Sequence, residues 1–157
     1  MSLEFLASDF ELMANFGLAW RWTDERWNLL PEDDLLAIRP FKKEAAGKLN
    51  EYSLELLEKV TKAEGPYALV LSVECGDDAA EVDVSETLQK HLVNCDQNVY
   101  VSWDPGYAVK CRLDVFCNYW DDFCYPSSDD VVVWPASETW VLMYRHYETF
   151  QLYQKWI

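Results

Sequence analysis

The chain predicts an α+β fold, with N-terminal helices packed on a C-terminal, mainly antiparallel β-sheet in a single domain, 1–157. Three observations carry this. Residues 41–63 repeat apolar side chains at three- and four-residue intervals, the period of a helix buried on one face. From Asn98 onward the pattern changes to short runs rich in β-branched and aromatic residues, separated by turn signals. Half of the 157 residues are hydrophobic, enough for a core without staples, and the length suits one domain. The division falls at a helix-rich part, 1–66, and a sheet-rich acidic part, 67–157.

The elements follow in order. Residues 4–19 are expected to form a first helix, capped by Ser8 or Asp9, with Phe10, Met13, Ala14 and Gly17 on one face. Trp20 and Trp22 alternate as in a short strand, with Arg21 on the other face, and Thr23 to Arg26 is a turn. Pro31 before Glu32-Asp33-Asp34 marks a helix start, since proline suits the first turn and acids suit the positive end of the helix dipole. That helix runs to Ile38 and stops before Pro40. The next, Phe41 to Ala63, places Ala45, Leu49, Tyr52, Leu56 and Val60 on one face, and Gly65-Pro66 ends it. Glu44–Lys48, Glu55–Lys59 and Glu58–Lys62 are i,i+4 pairs in the favourable order.

Tyr67 to Glu74 reads as a strand apolar enough to be buried on both sides. Asp83 to Asn94 predicts a helix with Ser85 as its cap. Val99 to Trp103 is a strand closed by Asp104-Pro105-Gly106. Ala108 to Phe116 alternates, with Val109, Cys111, Leu113 and Val115 on one face. Val131 to Trp134, Thr139 to Tyr144 and Thr149 to Tyr153 complete the sheet, the last two joined by a turn at His146-Tyr147-Glu148.

The formal net charge is −15. It is unevenly spread: residues 1–62 hold 12 acids and 8 bases, whereas residues 63–157 hold 16 acids and 5 bases. A field of that sign repels phosphate backbones and anionic membranes and draws in basic partners. Nucleic acid and membrane partners are therefore not expected, although acidity also serves solubility alone.

The most unusual stretch is Tyr119 to Trp134, where aromatics interleave with two acidic pairs. No Lys or Arg occurs from Leu113 to Tyr144, while six acids do. Arg112 and Arg145 bound this run and are candidates to neutralise it locally. Trp120, Asp121, Asp122, Tyr125, Asp129 and Asp130 form the candidate partner-binding surface, because Tyr and Trp are common interface anchors and carboxylates pair with basic side chains. Asp77, Asp78, Glu81 and Asp83 form a second acidic edge.

No catalytic signature appears, so a binder is expected rather than an enzyme, with no cofactor. Asp121, Asp122, Asp129 and Asp130 lack the spacing of a calcium loop, and Cys111, Cys117 and Cys124 match no common zinc spacing, so no metal is expected. Two carboxylates of the 121–130 loop flanking a substrate would make a small hydrolase, which stands as an alternative. A structural homodimer formed by the aromatic strands is another, and carbohydrate binding ranks below protein binding. Five glycines, none spaced as a phosphate loop, exclude that chemistry. Half of the 24 aromatics lie between Phe116 and Trp156, but a single-strand stacking platform also needs a basic groove. His91 is expected on the apolar face of its helix. Five cysteines, an odd number with no Cys-x-x-Cys, are read as buried thiols in a reducing cytoplasm. No signal peptide and no apolar run of membrane-spanning length are visible.

The run Tyr119-Trp120-Asp121-Asp122-Phe123, then Pro126 to Val133, then Trp140 to Phe150, resembles the C-terminal end of small acidic bacterial proteins. Some of these are grouped with the immunity proteins of polymorphic or contact-dependent toxin systems, and others have no known function. The resemblance implies a mode of action more than an architecture. An immunity protein binds its cognate toxin in the shared cytosol and occludes the active site or an essential surface. Many such toxins are basic nucleases, which an acidic protein with aromatic anchors complements.

Overall fold

The structure, a computed structural model, describes residues 3–76, 83–92 and 98–156. Its elements are α1 (Trp20–Thr23), β1 (Asn28–Leu29), α2 (Glu32–Leu36), β2 (Ile38–Pro40), α3 (Lys43–Val60), β3 (Tyr67–Glu74), α4 (Val84–Leu92), β4 (Asn98–Asp104), β5 (Tyr107–Arg112), α5 (Leu113–Asn118), α6 (Trp120–Phe123), β6 (Val131–Trp134), β7 (Trp140–Arg145) and β8 (Thr149–Lys155). Seven strands form one antiparallel sheet in the order β2-β5-β4-β6-β7-β8-β3, an α+β architecture. The last five strands in sequence make the sheet's interior. The first half of the chain supplies both edges.

Side chains that alternate across the strands build two cores. On one face Tyr100, Val132, Trp134, Val141 and Met143 meet Ala45, Ala46, Leu49, Leu56 and Val60 of α3. The spacing of those α3 residues is the helical period read in the sequence. On the other face Val99, Val101, Val109, Val133, Leu142 and Leu152 lie under a second layer. That layer is made by α4, α5, α6 and the segment from Phe16 to Trp22. The sheet is therefore sandwiched, with one long helix on one side and several short ones on the other.

Tight turns hold the strands in register. Gly106 N–H donates to the Asp104 side chain at 2.7 Å in the β4–β5 turn. Between β6 and β7, Glu138 sits in the left-handed region at φ 56°. Its carbonyl accepts the Tyr67 hydroxyl at 2.6 Å, and its carboxylate accepts the Tyr52 hydroxyl, so α3 and β3 both tie down that turn.

Several expectations need correction. Residues 4–19 are not one helix: they form two single 3-10 turns, Ala7–Asp9 and Met13–Asn15, joined by extended backbone. Phe10 instead bridges to Phe41 and stacks on its ring at 4.5 Å, so tertiary pairing outweighs local periodicity. Trp20 and Trp22 lie on a helical turn, not a strand, which buries Arg21 and Trp22 together. The helix after Pro31 ends at Leu36, and Ile38–Pro40 becomes an edge strand paired with β5. β3 is the opposite edge, paired only with β8, and exposes Leu69 and Val70 instead of burying both faces. β5 stops at Arg112, and Leu113, Phe116 and Cys117 turn inward at helical spacing on α5. The cap of α4 is Asp83, whose carboxylate accepts the Glu86 N–H at 3.0 Å, not Ser85. His91 is exposed rather than on the apolar face, its ring nitrogen 3.0 Å from the Thr87 carbonyl.

Candidate functional site

The stretch Tyr119 to Trp134 begins with α6, which buries Phe123 and half-buries Trp120 against Phe150, ring centroids 5.6 Å apart. It then crosses a turn at 126–128 and enters β6 in the middle of the sheet. Its acids do not form one continuous surface.

Asp129 is only 8% exposed. Its carboxylate faces Arg21, with Nη1–Oδ2 at 2.7 Å and Nη2–Oδ1 at 3.3 Å, and also accepts the Tyr125 N–H at 2.9 Å. The Asp129 N–H donates in turn to the Tyr125 carbonyl at 3.1 Å, so the loop closes on itself around the carboxylate. Arg21 also donates to the Phe123 carbonyl at 3.3 Å. That carbonyl takes a second hydrogen bond, 2.7 Å, from the Trp103 indole N–H. A buried guanidinium–carboxylate pair of this kind fixes geometry, because removing either partner strands the other charge. Asp129 thus anchors the loop from beneath and is corrected from a surface contact to an internal support. The base that neutralises Asp129 is Arg21, 108 residues upstream. At the ends of the run, Arg112 pairs with Asp114 at 3.0 Å and also with Asp34 at 3.5 Å, and the Arg145 charge favours the ionised Asp130 carboxylate.

Three aromatic rings collect above this ion pair. The Arg21 guanidinium lies 4.1 Å from the Tyr125 ring centroid and 5.5 Å from that of Trp20. Trp20 meets Trp27 at 5.1 Å and Tyr125 at 5.6 Å, both edge-on, and Trp27 lies 6.4 Å from Tyr125. Trp27 presents its ring outward, 58% exposed, from the turn between α1 and β1. The hairpin contacts Thr23–Leu29 and Asp24–Asn28 hold that turn.

Carboxylates rim the cluster. Asp121 is exposed on α6. Asp122 is half-buried and accepts the Asn28 side-chain amide at 2.7 Å, which clips α6 to β1. Burial pushes the Asp122 carboxyl above the ordinary range; the Asn28 hydrogen bond opposes the rise and the neighbouring Asp121 charge adds to it. Asp24 is held down to about 2 by hydrogen bonds from the Arg26 side chain and N–H. Asp130 points elsewhere: it accepts the His146 N–H at 2.9 Å, with His146 Nδ1 3.0 Å from the same oxygen. Burial raises the Asp130 carboxyl, but those His146 contacts outweigh it and hold it below its usual value.

The residues brought together are therefore Asp121, Asp122 and Tyr125, joined by Trp20 and Trp27, which the sequence reading did not select. Trp120 packs against Phe150 and Asp130 belongs to the His146 turn. The usable signal was Arg21 set between Trp20 and Trp22, with Trp27 close behind, and a base-free acidic run elsewhere that needs a counter-charge. Of the second acidic edge, Asp77, Asp78 and Glu81 lie outside the described residues, and Asp83 is an exposed helix cap. Among the described residues no group of His, Cys, Asp and Glu is placed to hold a metal. Cys111, Cys117 and Cys124 are buried free thiols, and burial pushes Cys117 up to about 12 and half-buried Cys75 to about 11.

Fold and site define a class: an acidic α+β protein with a seven-stranded antiparallel sheet and an aromatic cluster, Trp27 exposed and Trp20 and Tyr125 half-buried, seated on a buried Arg–Asp pair. No family model, curated protein or solved structure matches the chain. No helix among the described residues is long and apolar enough to cross a membrane.

Proposed function

We propose that the protein is an acidic protein-binding module that inhibits a basic partner by one-to-one occlusion in the cytoplasm. The partner class is a basic toxin domain, as the resemblance of the C-terminal third to immunity proteins implies. The observation that carries the reading is the Trp20–Trp27–Tyr125 cluster. Trp and Tyr rings are frequent binding anchors, and Trp27 presents its ring outward with Trp20 and Tyr125 half-buried beneath it. Here Asp121 and Asp122 stand beside them on a chain of net charge −15, which favours basic side chains electrostatically and through the ring faces. The buried ion pair and the Asn28–Asp122 contact support the reading further, because a pre-ordered surface loses less entropy on binding.

The hydrolase alternative draws less support. Asp122, Asp129 and Asp130 each have a structural partner, in Asn28, Arg21 and His146. No pair of them stands free across a cleft. The test is affinity capture from the native host, followed by titration of the captured, identified protein. A basic protein whose activity is lost at one equivalent is expected, with the complex weakening as salt rises. A host in which no basic partner is recovered, or a complex indifferent to Asp121→Lys with Trp27→Ala, sinks the reading.

A further inference from the structure

Beside the ring cluster the N-terminal segment leaves an apolar groove made of two adjoining clefts. The first, of about 860 Å³, is walled by Met13, Phe16, Trp20, Leu29 and Leu35. Asp24 and Glu25 also line it. The second, of about 680 Å³, is walled by Phe10, Leu12, Leu36 and Ile38 and shares Met13 and Leu35 with the first. Both volumes fall within the range of roughly 300–1,000 Å³ typical of binding clefts.

The groove is flanked by large apolar side chains left in water. Leu12 is 73% exposed, Leu36 70% and Leu29 59%. Single exposed leucines are ordinary, but a contiguous set around a concavity marks a contact surface. Two features of the surface say what fits it. The lining of the two clefts carries Glu11, Asp24 and Glu25 against Arg39 and Lys42, and the surrounding residues 3–36 hold eight acids and two bases, both already engaged, Arg21 by Asp129 and Arg26 by Asp24. The groove also shares Trp20 with the ring cluster, so the two surfaces are continuous.

We propose that the groove receives an amphipathic helix of the basic partner. Its apolar face fills the two clefts with successive anchors, and its Lys or Arg residues lie on the side of Glu25 and of Glu32 and Asp33 in the first turn of α2. This rests on the protein-binding reading above and extends it from the ring cluster to the groove. The groove has a polarity. Arg39 and Lys42 line the second cleft, and the Arg39 guanidinium lies 3.8 Å from the Phe10 ring centroid. The basic residues of the bound helix therefore fall at the Asp24–Glu25 end, and neutral or acidic ones at the Arg39 end. A second copy of this chain is a poor occupant, since it brings the same acidic surface into contact with itself.

The experiment uses a labelled synthetic Leu/Lys amphipathic helix and a sequence-scrambled peptide of the same composition, read by fluorescence anisotropy. The amphipathic peptide is expected to bind at least about tenfold more tightly than the scrambled one. Leu29→Glu and Leu36→Glu, both at exposed positions, are expected to weaken it by about tenfold or more without shifting the melting curve. Equal binding of the two peptides overturns the proposal, as does indifference to both substitutions or failure of the amphipathic peptide to bind. A wild-type dimer in sedimentation that Leu36→Glu converts to monomer also overturns it, in favour of self-association. Failure of the groove alone is distinguishable from failure of the broader reading. If both peptides bind equally and Asp121→Lys weakens both, the acidic surface still attracts basic partners and only the groove assignment falls.

Discussion

Arg21 and Asp129 stand 108 residues apart in the chain and meet at 2.7 Å inside the protein, with side chains 6% and 9% exposed. That contact joins α1 to the loop before β6 and sets the height of Tyr125, whose ring covers the guanidinium. The surface aromatic cluster is thus built on a buried charge pair.

Removing one member of the pair leaves the other buried without a partner. Arg21→Ala and Asp129→Ala are each expected to cost about 3–5 kcal/mol in urea unfolding. The joint replacement Arg21→Met with Asp129→Leu is expected to recover much of that loss, because no stranded charge remains. A loss under about 1 kcal/mol for either single change is the behaviour of an exposed pair and contradicts the assignment.

Asp122 is raised by burial, so the folded protein holds its proton more tightly than the unfolded chain does. The stability this group contributes is fully present below the unfolded carboxyl value and is lost as pH rises through the higher folded value. Asp122→Asn removes that dependence. The variant is expected to gain stability relative to wild type as pH rises above the ordinary carboxyl range, seen as a difference in urea midpoint that grows and then levels off once the folded Asp122 carboxyl is ionised. A difference that does not change with pH contradicts it.

The core thiols are held protonated by burial. A disulfide reagent at mildly alkaline pH is expected to leave Cys111, Cys117 and Cys124 unmodified in the native protein and to modify all three after denaturation. Mass spectrometry of the modified peptides reads the outcome directly.

Ser127 is exposed and adopts φ 68° without being glycine. The left-handed conformation costs about 1–2 kcal/mol for an ordinary residue. Ser127→Gly is expected to raise stability by up to about 1 kcal/mol after the added freedom of the unfolded chain is offset. A loss of stability would show that the Ser127 side chain matters to the turn.

The parts of the fold that were legible share a simple cause: their local pattern agrees with their packing. α3 shows the helical period because one of its faces alone is buried, and β7 and β8 show as strands because each has neighbours on both sides. The pattern misleads where tertiary contacts decide. Phe10, Met13, Ala14 and Gly17 have helical spacing, yet Phe10 is claimed by Phe41, and Phe16 between them by Trp22, 6.0 Å away, which breaks the segment into turns. β3 has the composition of a buried strand but lies at an edge, where one neighbour and an open flank leave Leu69 and Val70 in water. The same holds at the site. Tyr125, Asp121 and Asp122 stand out in the local sequence, whereas Trp20, Trp27, Asn28 and Arg21 reach them only through the fold. Asp129 looks identical to Asp121 in sequence, and only its distant partner separates an internal support from a surface carboxylate.

The central claim is that the Trp20–Trp27–Tyr125 cluster and the carboxylates beside it bind a basic protein. The most direct measurement is calorimetric titration of the captured, identified basic partner with wild type and with the double variant Trp27→Ala/Asp121→Lys. Both substituted positions are exposed, so circular dichroism is expected to show an unchanged fold. The account predicts one-to-one binding for wild type, weakening with salt, and a loss of at least about 2 kcal/mol, some thirtyfold in affinity, for the double variant. Equal affinity of the two proteins for the partner would contradict it.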